Sequence, residues 1–483
     1  MLAVGAGIAI VFITSVFGHP LFAVPVLAIP VAVSIVRRSR RDAVAVLSLY
    51  VAFLLFIPAQ LIFSPLGGSG TPANVLGIVM LWWWLHTRTV PGLGVSKGRS
   101  PVRWAIYGFG AAMMASYAAM GFRPIYPDEI SGADRGVMFF LGCAGIALLA
   151  CDGIADRARF DVLVRRLVAA GGLVAAFGVY QFFTLYDINT ISVPLLTRNQ
   201  KVADVVERSI FHRVAGTASH PIEFGVVMAM LLPLALHLAL FSERGKRLRW
   251  WLASGVIALV IPMTLSRAAV VTLAVALVII VPTWPPRWRR RGILIGGTFA
   301  VAVRVAIPGL VGTVTSLFTN INNDPSTSGR TQDYTYFADL FVQRPILGRG
   351  FFTFLPDIYT IFDNEFLVIL VEMGIVGLIA LLAVLVSGMG SARAARRAAT
   401  DDATRHLGQV LAASIAGGTI AFGTFDALSF PTAAGLMFLL IGLAGALRRL
   451  TREGPVAPGE PVPRRDALAD RSYWWTKRSK ALT

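Results

Sequence analysis

The sequence predicts an all-α, polytopic integral membrane protein with about fourteen transmembrane helices and a large extracytoplasmic loop. Of its 483 residues, 56% are hydrophobic and only 14% are charged, and the mean hydropathy is +0.69. A soluble protein of this length carries roughly 25% charged residues. Apolar runs of about 17–23 residues recur along the chain, each long enough to cross a ~30 Å hydrocarbon layer as a helix. Lipid offers the backbone no hydrogen-bond partner, so these runs must be helical.

The apolar runs place predicted helices along the whole chain, with boundaries good to roughly 2–4 residues. The run from Trp250 to Val281 allows two interpretations, either one long helix or two short helices hinged near Pro262–Arg267. The predicted helices are 2–18, 21–36, 42–63, 71–87, 104–122, 136–154, 164–186, 221–241, 250–264, 267–283, 292–310, 364–390, 407–425 and 431–447.

Lysine and arginine fall in short clusters spaced one helical hairpin apart, as orientation signals do. Cytoplasmic loops of membrane proteins are enriched in basic residues, so these clusters predict that both termini are cytoplasmic. The net charge of +18 therefore reflects membrane topology and does not indicate binding of nucleic acid. The clusters lie near 37–41, 88–103, 157–166, 244–249, 287–291 and 393–405 and in the tail.

Three predicted outer loops are substantial, at about 123–135, 187–220 and 311–363. The chain shows no internal repeat of the kind that many secondary transporters carry. The predicted organisation is a set of N-terminal transmembrane helices at 1–204, a core at 205–390 that includes the loop 311–363, a C-terminal helix pair at 391–450 and a basic cytoplasmic tail at 451–483.

Arginines in the outer segments are candidate functional residues, because membrane topology does not account for them. Arg267 opens an apolar segment, and a basic residue within a span costs about 2.5–3.5 kcal/mol on insertion scales. It either snorkels to the outer headgroups or serves as a fixed cation facing a cavity. Any single outer arginine could form a loop salt bridge, but several on one face suit a diphosphate, whose oxygens guanidinium groups bind bidentately. The candidates are Arg213, Arg267, Arg330, Arg344 and Arg349.

Polar residues at the start of the predicted helix 364–390 form a further candidate group, Asp363-Asn364-Glu365 with Glu372. Asp363 stands where it can cap the helix N-terminus or act in catalysis, and the two roles are compatible. Glu365 and Glu372 are seven residues apart and share a helix face. Glu372 lies deeper, and a buried carboxylate needs a partner or a proton. We expect Glu372 to contact an arginine or freed backbone groups.

These segments resemble the bacterial O-antigen ligase/polymerase superfamily of lipid-linked glycan transferases. The resemblance covers roughly residues 205–380, and its short motifs share one order and one predicted outer face. The matching segments are Arg213-Val214-Ala215-Gly216-Thr217 with His220-Pro221, Ser266-Arg267, Ser328-Gly329-Arg330, Arg344-Pro345-Ile346-Leu347-Gly348-Arg349-Gly350, Asp363-Asn364-Glu365-Phe366-Leu367 and Glu372-Met373-Gly374.

The resemblance implies a GT-C-like glycosyltransferase of polysaccharide biosynthesis in the bacterial inner membrane. Its donor would be a glycan on a polyprenyl diphosphate such as undecaprenyl diphosphate, and its acceptor a saccharide or glycolipid. Transfer would occur at the outer leaflet, without a nucleotide sugar. Arg213, Arg267 and Arg330 would hold the diphosphate. We expect an inverting reaction, because in-line attack inverts the anomeric configuration. We expect no metal or other cofactor, because the sequence shows no clustered carboxylate motif for Mg²⁺.

The chain departs from the ligases of this superfamily at one position. They resemble one another in having His-Asn where this chain has Asp363-Asn364, and the histidine is the base expected to activate the acceptor hydroxyl. An aspartate can also act as a base, and His212 or His220 could supply an imidazole instead. This departure favours a polymerase, or a ligase for an unusual acceptor.

Two other classes of function are compatible with the sequence. A transporter or flippase of lipid-linked glycans also needs intramembrane charge, but here the unusual charge is concentrated on the predicted outer side. A peptidoglycan-type polymerase of related fold would carry a catalytic carboxylate in its large outer loop. The candidates for that carboxylate are Asp324, Asp333, Asp339 and Asp357.

Overall fold

A computed structural model describes most of the chain, and helices make up nearly all of its ordered structure. The strands are two residues long and form two antiparallel pairs, Leu61–Ile62 (β1) with Thr197–Arg198 (β2) and Glu207–Arg208 (β3) with Phe211–His212 (β4). The predicted helical class is confirmed for these residues. The structure describes residues 42–89, 98–186, 188, 191–199, 207–208, 211–319, 336–360 and 362–453.

The helices follow the apolar runs of the sequence. The predicted helices 2–18 and 21–36 lie outside the described residues, and a further short helical stretch lies at 336–343. The helices are Ala43–Phe56 (α1), Pro72–Thr89 (α2), Pro101–Met120 (α3), Pro127–Gly153 (α4), Arg157–Thr184 (α5), Pro221–Phe241 (α6), Arg247–Met263 (α7), Arg267–Ile280 (α8), Pro286–Ala306 (α9), Leu310–Thr319 (α10), Glu365–Ala398 (α11), Asp402–Ala421 (α12) and Pro431–Glu453 (α13).

Five helices, α4, α5, α6, α11 and α13, are long and apolar enough to cross a membrane, or six spans if α9 and α10 count as one broken span. The predicted number of fourteen is therefore not confirmed within the described residues. Length is one reason, because α1 and α8 have 14 residues each. At 1.5 Å per residue such a helix is about 21 Å long, shorter than a ~30 Å hydrocarbon layer.

The structure shows two helix breaks, one that the sequence left open and one that it did not predict. The run from Trp250 to Val281 consists of two helices, α7 and α8, so the second of the two predicted interpretations is the observed one. The predicted helix 292–310 is instead α9, which ends at Ala306 before Pro308-Gly309, and α10 then leaves at an angle of 109°. Proline cannot donate to a helix ladder, which accounts for the second break. The outer segment predicted as the loop 311–363 thus begins with a helix.

Close contacts between backbones hold the bundle together. A Cβ on Gly145 of α4 would overlap the carbonyl oxygen of Gly77 of α2, so the two helices touch through their main chains. Gly442 of α13 is similarly close to Ala147 of α4. Small residues at helix crossings allow this packing, which drives helix association in lipid. Among the long apolar helices, α6 and α13 are the most completely buried and form the centre.

A buried ion pair lies at the end of the bundle that carries the predicted cytoplasmic loops. Asp152 at the end of α4 accepts hydrogen bonds from Arg103 Nη2 at 2.7 Å and Nε at 3.0 Å, and from Trp84 Nε1 at 3.0 Å. The Asp152 side chain is 1% exposed and that of Arg103 5%. Arg103 is therefore more than an orientation signal, because it joins α3 to α4.

Asp152→Asn is expected to lower the free energy of unfolding by about 3–5 kcal/mol, because it leaves the buried guanidinium of Arg103 without its counter-charge. The matched control is Asp402→Asn, which removes a pair with Arg405 in which the Asp402 side chain is 85% exposed. Exposed pairs contribute about 0–1 kcal/mol. Thermal unfolding in detergent measures both variants, and equal small shifts would contradict the prediction.

Candidate functional site

The connection between α7 and α8 is held by the segment that precedes α6. Arg213 donates from Nε to the backbone carbonyl of Thr264 at 3.1 Å, and the backbone N–H of Val214 donates to the carbonyl of Met263 at 3.4 Å. Arg213 is 7% exposed, and Arg267, at the first position of α8, is half-buried. The structure therefore brings two of the predicted diphosphate-binding arginines to the same helix connection.

The backbone at this connection is strained. Leu265 has φ +48°, in the left-handed region that costs a non-glycine residue about 1–2 kcal/mol. The carbonyl of Thr264 before it accepts the bond from Arg213, and the side chain of Ser266 after it caps α8 by accepting from the N–H of Ala269 at 3.3 Å. Such strain persists where surrounding bonds determine the conformation. These bonds fix where α8, and with it Arg267, begins.

His220 is the N-cap of α6, and its Nδ1 accepts a hydrogen bond from the backbone N–H of Ile222 at 3.1 Å. Burial, together with the positive charge of Arg213, lowers the pKa of His220 to about 4. The imidazole is therefore neutral near pH 7. With Nδ1 accepting, the proton of the neutral ring is on Nε2. In this conformation His220 can donate a hydrogen bond but has no vacant basic nitrogen.

His212 is placed differently from His220. It lies in β4, in register with Glu207 of β3, and its side chain is exposed. Thus the two histidines predicted as possible bases occupy an exposed strand position and a half-buried helix cap.

Glu223 in the first turn of α6 joins three segments of this region. Its Oε2 accepts from the backbone N–H of Ser219 at 2.8 Å and from the Ser219 hydroxyl at 2.7 Å. Its Oε1 accepts from the N–H groups of Thr432 and Ala433 at 2.6 and 3.1 Å. These N–H groups belong to the first turn of α13, which has no internal acceptors for them. Glu223 therefore caps α13 from a neighbouring helix and ties it to the segment that contains Arg213 and His220.

The start of α11 packs against the connection between α12 and α13. The N-cap of α11 is Asn364, whose side chain accepts from the N–H of Phe366 at 3.0 Å, and Asp363 is exposed just outside the helix. The alternative that Asp363 itself caps the helix is therefore wrong. Glu365 is buried, and its Oε2 accepts from the N–H of Leu428 at 2.8 Å.

Asp426, in the α12–α13 connection, lies close enough to Asp363 for their charges to interact. Burial raises the pKa of Asp426 to about 7, and the negative charge of Asp363 adds to the increase. Near pH 7 Asp426 is thus distributed between its protonated and ionised forms. The exposed carboxylate of Asp363 and the half-buried carboxyl of Asp426 form an acidic pair at the same bundle end as His220, whose ring lies 6.0 Å from that of Phe430.

Helix α11 is broken at Gly374, where φ is +65°. The backbone of the 344–350 turn occupies the break and pairs with the polar groups that the break leaves free. The buried side chain of Glu372 accepts a hydrogen bond from the N–H of Phe354 at 3.1 Å. Of the two partners expected for it, an arginine or backbone groups, the structure shows a backbone group. The N–H to carbonyl bonds across the break are Arg349 to Val371 at 3.0 Å, Gly350 to Glu372 at 2.8 Å, Ile375 to Pro345 at 2.9 Å and Val376 to Ile346 at 3.2 Å.

A second polar cluster contains Arg349 and lies between the 344–359 segment and the start of α4. Arg123 binds both carboxylate oxygens of Glu129 at 2.8 Å, and Tyr359 donates its hydroxyl to Glu129 Oε1 at 2.9 Å. Arg349 donates from Nη2 to the Tyr359 hydroxyl at 2.7 Å. Burial and the charge of Glu129 raise the pKa of Tyr359, which therefore stays protonated. Arg344 contacts the same region, through a bond from Nη2 to the carbonyl of Phe122 at 2.8 Å.

The predicted arginine set is thus divided by its contacts. Arg213 and Arg267 both lie at the α7–α8 connection, whereas Arg344 and Arg349 bond to the segment 121–129 and to Tyr359. Arg330 lies outside the described residues. Of the alternative loop carboxylates, Asp324 and Asp333 also lie outside them, and Asp339 and Asp357 are exposed.

With this geometry, the chain is a multi-helix membrane protein whose charged site lies among the connections at one end of the bundle. Residues 252–382 match the family model described as O-antigen ligase. This segment therefore carries an O-antigen ligase-type domain, in agreement with the resemblance that its motifs indicated. The match includes Arg267, Arg344, Arg349 and the start of α11. Arg213, His220 and Asp426 lie outside the matched segment. No curated protein matches the chain.

Two residues of this region were not predicted from the sequence as part of the site. Glu223 stands in a typical first-turn position, where an acidic residue favours the helix N-terminus, and its contacts with α13 have no sequence signal. Asp426 is the acidic residue of the short connection between two apolar helices, 422–430. A carboxylate is unusual in so short and apolar a connection, and this feature of the sequence could have identified Asp426 as a candidate functional residue.

Gly374→Ala is expected to lower the unfolding temperature by several degrees and to reduce activity. An alanine there must adopt φ +65°, and its Cβ would overlap the carbonyl of Ile346. The control is Gly390→Ala in the same helix, where a Cβ meets nothing within 4 Å. That change is expected to be neutral or slightly stabilising, because alanine favours helix. Similar unfolding temperatures for the two variants would argue against the role of the break.

Proposed function

We propose that this chain is a glycosyltransferase that moves a glycan from a polyprenyl-diphosphate carrier to a saccharide or lipid-linked acceptor at the outer face of the bacterial inner membrane. The observation that carries the proposal is the placement of Arg213 and Arg267 at the same α7–α8 connection. The match of residues 252–382 to the O-antigen ligase family supports a glycosyltransferase-type activity in general. The donor, its orientation and the chemistry are inferred from the residues.

In the proposed reaction, an acceptor hydroxyl attacks the anomeric carbon of the donor glycan while Asp363 removes its proton. A new carbon–oxygen bond forms, and the bond from the anomeric carbon to the diphosphate breaks. Polyprenyl diphosphate leaves with the bonding electron pair, and Arg213 and Arg267 stabilise its developing negative charge. Such stabilisation is typically worth about a hundred- to thousandfold in rate per group. In-line attack inverts the anomeric configuration.

The arginines provide the positive charge that leaving-group departure requires, so the proposed reaction uses no metal. Guanidinium groups remain charged at all physiological pH values. The side chains of Arg344 and Arg349 bond to Phe122 and Tyr359, so we assign them a supporting role in holding the 344–350 turn against these neighbouring segments.

Asp363 is the preferred base because of its position and exposure. It stands outside the cap of α11, whereas the basic nitrogen of His220 already accepts a hydrogen bond from α6. The aspartate at this position, where ligases of the superfamily carry histidine, favours polymerisation of glycan units. A polymerase would give a ladder of products and a ligase a single transferred glycan.

Transfer is expected to fall about a hundredfold or more in Arg213→Ala and in Arg267→Ala, because each change removes charge stabilisation of the leaving group. Arg267→Lys is also expected to be severely impaired, since lysine cannot bind a phosphate bidentately. Purified protein in nanodiscs is given a polyprenyl-diphosphate oligosaccharide and an acceptor without nucleotide, and initial rates are measured.

The control for this series is Arg405→Ala, which removes a charge from an exposed pair near the start of α12. Near-normal transfer by Arg267→Lys would mean that Arg267 only snorkels. Unchanged transfer in all arginine variants, or no reaction in wild type, would favour a transporter of lipid-linked glycans.

Asp363→Asn is expected to lower the rate constant strongly while the KM for the donor stays within about twofold. His220→Asn should retain most activity, because asparagine is a good N-cap. The pKa of His220, about 4, also means that its titration does not shape the rate between about pH 5 and pH 8. Steady-state kinetics of both variants, with His212→Gln as the surface control, identifies the base. Equal loss in His220→Asn at unchanged unfolding temperature would assign that role to His220.

A further inference from the structure

The connection between α1 and α2, residues 57–71, lies beside the proposed site although it belongs to the N-terminal half of the chain. The backbone N–H of Ala59 donates to the carbonyl of Thr217 at 2.9 Å. On its other side, the N–H of Asn199 donates to the carbonyl of Gln60 at 2.8 Å, next to the β1–β2 pair. The connection is therefore held between the segment that leads to His220 and the strand at 197–198.

Gln60 in this connection has an unsatisfied buried acceptor. The residue is 6% exposed, and its Nε2 donates to the carbonyl of Ser219 at 3.5 Å. This contact sets the orientation of the amide, since the reverse orientation would place two oxygens together. Its Oε1 is covered and accepts no hydrogen bond from the residues that the structure describes. Leaving such a group without a partner costs about 1–3 kcal/mol, so it calls for an explanation.

Arg135 of α4 lies across the same connection. The Ser69 hydroxyl donates to the backbone carbonyl of Arg135 at 2.6 Å, and a Cβ on Gly67 would come within 2.7 Å of Arg135 Cδ. The absence of a side chain at Gly67 thus gives the arginine room to lie over the turn. Within the described part of the chain, the guanidinium of Arg135 makes no hydrogen bond or ion pair.

These two groups require opposite hydrogen-bonding partners. Gln60 Oε1 needs a donor, whereas the Arg135 guanidinium needs an acceptor. An ionised phosphate offers acceptors alone and cannot satisfy Gln60. A sugar hydroxyl is both a donor and an acceptor, so hydroxyls of one glycan can satisfy both groups.

We propose that the α1–α2 connection forms a carbohydrate subsite in which Gln60 and Arg135 hydrogen-bond to hydroxyl groups of the transferred glycan or of the acceptor. The inference rests on the proposed function and adds the residues that bind sugar rather than diphosphate. Because Gln60 Oε1 is covered, glycan binding at this atom requires a local rearrangement of the connection. The subsite lies outside residues 252–382, the segment matched by the family model.

Gln60→Met tests this subsite, because methionine has a similar length but no polar amide. The expected result is a rise of about three- to tenfold in KM for the substrate whose hydroxyl Gln60 binds, from loss of one hydrogen bond. The KM rises either for the donor glycan or for the acceptor. Varying the concentration of each substrate separately shows which of the two supplies the hydroxyl. The inhibition constant of undecaprenyl diphosphate without a glycan should not change, whereas Arg213→Ala should weaken it.

The unfolding temperature separates binding from a structural role. If the orphan oxygen serves the substrate, Gln60→Met keeps or raises the unfolding temperature, because it removes an unsatisfied buried group. Arg135→Ala, at a half-buried position, should raise the same KM. Gln343→Met on an exposed outer residue is the matched control.

Unchanged KM values for both substrates in Gln60→Met or in Arg135→Ala, with transfer active in wild type, would overturn the subsite alone. A lower unfolding temperature with unchanged KM would show that a buried water or the protein satisfies Gln60. If wild type transfers no glycan, the proposed function fails and the subsite with it.

Discussion

The need to satisfy backbone polar groups at helix ends in apolar surroundings is the constraint on which the rest of this structure depends. Lipid and packed side chains offer no partner for a freed N–H or carbonyl. Here Glu223 accepts from the first turn of α13, Arg213 donates to the carbonyl at the end of α7, and the 344–350 turn pairs with the break in α11. The bonds that complete these helix ends also place the candidate functional residues.

This constraint explains why cations and carboxylates meet at one end of the bundle. Arg213 holds the α7–α8 connection with the hydrogen bond from its Nε to the Thr264 carbonyl. Burial lowers the pKa of His220, and the positive charge of Arg213 lowers it further, so this histidine stays neutral beside the arginine. Burial has the opposite effect on Asp426, whose pKa rises toward neutrality. One arginine therefore contributes to helix capping, site electrostatics and proposed substrate binding.

The helices were predictable where a continuous apolar run ended at a proline or a polar cap, as Pro221–Phe241 shows at both ends. The breaks were harder to predict. The sequence at 292–310 remains apolar through Pro308-Gly309, so it does not indicate the break there. Gly374 lies inside an apolar run that predicts a single helix. Hydropathy measures composition along the chain and is insensitive to a change in backbone direction. For the site, the outer arginines stood out because topology did not explain them, but Arg344 and Arg349 proved to bond to neighbouring loops.

The sequence by itself determined that this is a helical membrane protein and that residues 252–382 match the O-antigen ligase family, because apolar length, charge spacing and short motifs are properties of the chain read in order. Only the tertiary structure decided which charged residues meet. Arg213 and Thr264 are 51 residues apart, and Glu223 and Thr432 are 209 apart. Contacts of that separation depend on how helices pack against one another, and packing follows from side-chain shape and backbone proximity that no local pattern records.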